Sequence, residues 1–145
     1  MKTILTAKET ICTLIGMGCS AVTTIFGGWT TAMTTLLIFM AIDYISGLAV
    51  AGIFKKSPKT ESGALESRTG WKGLCRKMMT LIFVLIAYRV DLAIGTTYIK
   101  DAVCIGFIAN ELISIIENAG LMGVPIPEVL NRAIDILTKK TESEE

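Results

Sequence analysis

The chain has 145 residues, of which 52% are hydrophobic, and a mean hydropathy of +0.60, which sets it apart from ordinary soluble domains. Its formal charge of +1 gives no basic surplus for nucleic acid. Histidine is absent, and Cys12, Cys19, Cys75 and Cys104 have no paired spacing, so no metal centre, cofactor or disulfide framework is expected and the cysteines read as small apolar packing groups.

From Ile11 to Ile42 no side chain is charged, and only the Gly27-Gly28-Trp29 step interrupts the run. A bilayer core of roughly 30 Å needs about 20 mostly apolar residues in a helix, since lipid offers no partner to backbone polar groups. The run therefore predicts one span over about Lys8 to Phe26, a tight hairpin, and a second span from Thr30 to Phe54 with one acid, Asp43. The apolar start has no small-residue cleavage site and is expected to remain uncleaved.

Residues Lys55 to Gly70 form a polar, turn-rich segment and predict a solvated, mobile loop. Between Lys55 and Lys77 seven cations, Lys55, Lys56, Lys59, Arg68, Lys72, Arg76 and Lys77, face only Glu61 and Glu66. Short basic loops stay in the cytoplasm, so this stretch is assigned to the inner side, with some attraction to anionic lipid. A third span follows from Met78 to about Ile94, and a fourth, the least hydrophobic, from Ala102 to Ala119. Four spans place both termini inside, and Trp29, Tyr88 and Tyr98 then fall at the outer interface and Trp71 at the inner one.

Beyond Gly120, Val124-Pro125-Ile126-Pro127 stops the helix and Pro127 can start another. Ile126, Val129, Leu130, Ala133, Ile134 and Leu137 recur at helical spacing, predicting an amphipathic helix for the membrane surface or a neighbouring subunit. The expectation is thus an all-α membrane protein. Residues 1–124 form a bundle of about four transmembrane helices with a basic loop over 55–77, residues 125–138 an amphipathic helix, and residues 139–145 a charged, disordered tail.

An ionised carboxylate at mid-span costs on the order of 3 kcal/mol, so Asp43 needs a partner, water or a proton. With Ser46 and Gly47 beside it, Asp43 either lines a pore and sets assembly or is a buried acid bonded to a neighbouring helix. In the fourth span Asn110, Ser114 and Glu117, and Glu111, Ser114 and Asn118, make a polar stripe. The stripe lines an aqueous lesion or forms a seam within one subunit that pairs with Arg89 or Arg76. Gly16, Ser20 and Thr24 of the first span, with Cys12 alongside, make a small-residue ridge suited to close helix contact between subunits or within the hairpin. Ser46 has no positioned base, and no metalloprotease or phosphate-loop motif occurs, so an enzyme is not expected.

Three blocks carry a resemblance: Phe26-Gly27-Gly28-Trp29 followed by LLIFMAIDYISGLAVAGIFKK (Leu36 to Lys56), then GWKGLCRK (Gly70 to Lys77), then FIANELISIIENAGLMGVPIPEVL (Phe107 to Leu130). In this order, across roughly Thr10 to Leu137, they resemble a family of phage holins that includes toxin-secretion holins of clostridial type. The matching positions are Asp43, Gly47, Gly73, Lys77, Asn110, Glu111, Ser114, Glu117, Asn118, Pro125 and Pro127. The resemblance implies a non-enzymatic protein that accumulates in the bacterial cytoplasmic membrane, forms homo-oligomers and opens lesions releasing an endolysin or toxin. A small ion or proton channel and a non-permeabilising membrane scaffold are the alternatives.

Overall fold

The computed structural model describes residues 2–142, and within them the chain is helical without strands. Five helices follow one another: α1 Lys2–Ile25, α2 Thr31–Ala49, α3 Ser67–Ile94, α4 Ile99–Leu121 and α5 Glu128–Glu142. A π-helical turn, Val50–Phe54, prolongs α2.

Each boundary has a local cause. At the end of α1, Gly27 adopts a φ of +70° and the Gly28 amide donates to Thr23 O at 2.8 Å, closing the last turn back on itself. A side chain at Gly27 would also run into the Tyr88 ring. Thr30 then caps α2, its hydroxyl oxygen accepting from the Met33 amide at 3.2 Å. Gly95, with a φ of +76°, stops α3 and donates its amide to Asp91 O. The expected break at Gly27-Gly28 is present, and a short connection joins α3 to α4.

Helix α4 holds the fold together, packing against α2 on one side and α3 on the other, while α5 lies against α4. The core is one seam of Met33, Leu36 and Met40 from α2, Val84 from α3, and Cys104 and Ile108 from α4. Leu36, Val84 and Cys104 are wholly buried. Outside this seam the surface is apolar: Ile45, Ile53, Ile82, Phe83, Ile86 and Val90 are all exposed. Every side chain from Thr6 to Val22 on α1 is exposed too, so α1 stands clear of the other helices.

Among the described residues, one helix is long and apolar enough on its own to cross a membrane, Thr31–Phe54. Of the others, α3 is interrupted by Lys72, Arg76, Lys77, Arg89 and Asp91, and α4 by Lys100, Asp101, Glu111 and Glu117.

Three expectations about the polar segments are corrected. The basic stretch is not a loop as far as Lys77, because α3 starts at Ser67 and carries Arg68, Lys72, Arg76 and Lys77. The remaining loop is folded back on itself rather than simply solvated: the Ser57 amide donates to Gly63 O, the Thr60 hydroxyl to Ala64 O, and the Lys56 amide to Val50 O. Gly63, with a φ of +69°, makes this return possible, since a Cβ there would overlap the Lys55 carbonyl. Helix α5 reaches Glu142, so residues 139–142 of the expected tail are helical, and residues 143–145 lie outside the described ones.

Candidate functional site

Three helices bring ionisable side chains together at mid-length. Lys77 of α3 donates through Nζ to Asp43 Oδ2 of α2 at 2.7 Å and to Glu111 Oε2 of α4 at 2.5 Å. Asn118, two turns beyond Glu111 on α4, donates its side-chain amide to Asp43 Oδ1 at 3.2 Å and to Ser46 Oγ at 2.9 Å. Both acids and the lysine are almost wholly withdrawn from solvent, with side-chain exposures of 12%, 8% and 13%. Among the described residues no buried side-chain nitrogen or oxygen lacks a partner.

Within the single chain each acid of the knot has a partner. Asp43 has a partner in its own subunit, and that partner is Lys77; Arg89 and Arg76, the cations expected to pair with the acids of α4, are exposed. Lys77, expected in the cytoplasmic basic stretch, is therefore a knot residue. The α4 stripe divides by helix phase. Glu111 and Asn118 are buried, Ser114 is half-buried, and Asn110 and Glu117 are exposed. Gly47 faces Asn118, where an added Cβ would meet the amide nitrogen at 3.7 Å, an ordinary contact. Gly70 and Gly73 of α3 lie against the Tyr44 ring in the same way. Gly16, Ser20 and Thr24 are exposed, nothing lies within 4 Å of a Cβ placed at Gly16, and the Thr24 hydroxyl donates to Ser20 O of its own helix. Lys55, Lys56, Lys59, Lys72 and Arg76 are exposed.

A second cluster, at the opposite end of the bundle, was not anticipated. Asp91 is only 4% exposed, and its carboxylate accepts from the Thr96 hydroxyl at 2.6 Å and from the Ile99 and Lys100 amides at 3.1 and 2.8 Å. It thereby satisfies the free amides that open α4. The Lys100 ammonium donates to Phe26 O and Gly28 O and lies 5.4 Å from the centre of the Tyr88 ring, while Thr30 donates to Asp101 Oδ1 at 2.9 Å. The connection between α1 and α2 is thus bolted to the start of α4. The signal in the sequence was an Asp just before a helix-stopping Gly and a helix start, but the link to residues 26–30 is not a matter of local spacing.

Fold and site together define a class: an all-helical protein with an apolar exterior, a helix able to cross a membrane, and its interior charges paired between helices. The chain belongs to the bacteriophage holin family, whose profile matches residues 20–139. A probable holin of Bacillus phage phi105 is 31% identical over 115 residues, covering 76% of this chain and 79% of that protein. An uncharacterized protein of Listeria innocua is 41% identical over 122 residues, covering 83% and 81%, and a 14.9 kDa protein of Clostridium perfringens 36% identical over 120 residues, covering 81% and 85%. No solved structure matches.

Proposed function

We propose that this chain is a holin: a protein with four membrane-crossing helices and both termini in the cytoplasm, which assembles in the bacterial cytoplasmic membrane and opens lesions for an endolysin or toxin. The observation that carries this reading is the Asp43–Lys77–Glu111 knot, together with membership of the family. Helices α3 and α4 carry too much charge to cross lipid on composition, but the knot pairs Lys77 and Glu111 with Asp43 at mid-length, which lowers the cost there, and Ile82, Phe83, Ile86 and Ile113 on the same two helices are exposed and apolar. A subunit whose mid-helix acids are held by Lys77 can accumulate silently in a bilayer.

Assembly then uses what the single subunit leaves unpaired. Helix α1, with its Gly16, Ser20 and Thr24 ridge, is free for a neighbouring copy, and Asn110 and Glu117 already face outward from α4. In the lesion, Asp43, Glu111 and Asn118 exchange their internal partners for water or for other subunits. Induced expression with membrane potential and escape of a co-expressed endolysin read together tests the function. Depolarisation with release of the folded enzyme is expected. An ion-selective leak without enzyme release would make the chain a channel, and assembly without any leak a scaffold; either result refutes the proposal.

A further inference from the structure

The knot forms one wall of a cavity of about 430 Å³ enclosed by the end of α2, the folded-back loop and the first turns of α3. Lys72 and Arg76, one turn apart on α3, line it together with Lys59 from the loop. Lys77 also reaches it but is already neutralised by Asp43 and Glu111. Lys59, Lys72 and Arg76 form no ion pair among the described residues, and besides Asp43 the one acid in the lining is Glu66. The cavity therefore presents three unpaired cations to whatever enters. Leu48, Val50, Ala51 and Leu65 contribute an apolar part of the lining.

Its position is as informative as its charge. The cavity sits where the apolar run of α2 ends at Phe54, level with the start of α3, and Trp71, 66% exposed, lies between Gly70 and Lys72 of its wall. A large amphipathic ring at such a level marks the boundary between hydrocarbon and headgroups. Cations, hydroxyls of Ser57, Thr60 and Thr69, and an adjoining apolar wall match a ligand with an anionic oxygen-rich head and a hydrocarbon continuation.

We propose that this cavity binds the headgroup of an anionic phospholipid, with the phosphate held by Lys59, Lys72 and Arg76 and the glycerol and first methylenes against Leu48, Ala51 and Leu65. Arginine supplies two parallel donors to phosphate oxygens, and the two lysines supply point charges. The site rests on the membrane reading above, and it gives the basic stretch a specific ligand in place of diffuse attraction to the inner leaflet.

The test is lipid retention by the purified full chain in detergent doped with phosphatidylglycerol and phosphatidylcholine, counted per protomer by mass spectrometry. The unaltered protein is expected to retain phosphatidylglycerol in preference to phosphatidylcholine. Lys72→Gln/Arg76→Gln should weaken that retention roughly thirtyfold. The charge-keeping pair Lys72→Arg/Arg76→Lys should hold the lipid. Lys55→Gln/Lys56→Gln, which removes the same charge outside the cavity, should leave retention within about threefold, and circular dichroism checks that all variants are helical. Equal losses in the two neutralised pairs, equal retention of phosphatidylcholine, or displacement of the lipid by millimolar inorganic phosphate would each overturn the site. Protein that stays soluble without detergent would instead refute the membrane reading itself, so the two failures are distinguishable.

Discussion

Replacing Lys77 with Met keeps the length of the side chain and removes the one cation that Asp43 and Glu111 share. The two carboxylate oxygens lie 2.7 and 2.5 Å from the same nitrogen, and at the roughly 4 Å that separates two acceptors of one ammonium their repulsion is about 4 kcal/mol at an effective dielectric of about 20. Removing one partner of a buried charged group costs about 3–5 kcal/mol in general, in line with this figure. For a chain of this size that corresponds to a fall in Tm of roughly 10 °C or more. Thermal unfolding in detergent, followed by circular dichroism, measures it. The neutral triple variant Asp43→Asn/Lys77→Met/Glu111→Gln should recover most of the loss, because it removes the charges together. The reasoning is refuted if Lys77→Met melts within about 3 °C of the parent, or if the triple variant is no more stable than the single one.

Other perturbations follow from the same geometry. Either acid alone neutralises Lys77, so Glu111→Gln should cost less than half of what Lys77→Met does in the same melt. Gly27→Ala forces a left-handed backbone and drives a methyl into the Tyr88 ring; in a Tyr88→Ala background its cost should shrink to about 1 kcal/mol, the backbone part alone, as a double-mutant cycle would reveal. Asp91→Ala removes the acceptor of the Ile99 and Lys100 amides at a cost of about 1–2 kcal/mol, and hydrogen exchange at those two amides should accelerate while the amides of mid-α2 stay protected.

Much of the architecture can be read from the residues because it depends on local chemistry. The charge-free run to Ile42, the Gly27-Gly28 break and the Pro125 and Pro127 pair mark helices and their ends through propensity and backbone geometry, and the ends of α1 and α3 and the start of α2 fall beside the expected places, whereas α3 begins at Ser67, well before the expected Met78. The site was only half legible. Its acids announce themselves, since a carboxylate amid apolar residues needs a partner, but the identity of that partner depends on the rotation of three helices about their axes. Lys77 follows Arg76 directly and shares its basic surroundings, yet on α3 the two point in different directions, one into the knot and the other to the surface. Phase likewise divides the α4 stripe, sending Glu111 and Asn118 inward and Glu117 out. The bolt from Lys100 and Asp101 to the connection between α1 and α2 joins residues more than 70 apart, beyond the range of any periodicity.

The account turns on the knot being closed while subunits accumulate and open once they have assembled. Ser46, which accepts from Asn118 inside the knot, can be replaced by the near-isosteric cysteine in a chain whose own four cysteines are changed to alanine. Labelling of Ser46→Cys by a membrane-impermeant thiol reagent, sampled through an induced culture, then follows the opening directly. A cysteine that is silent before lysis and reactive at its onset is the predicted result; one that reacts throughout accumulation, or never reacts while endolysin escapes, would contradict the account.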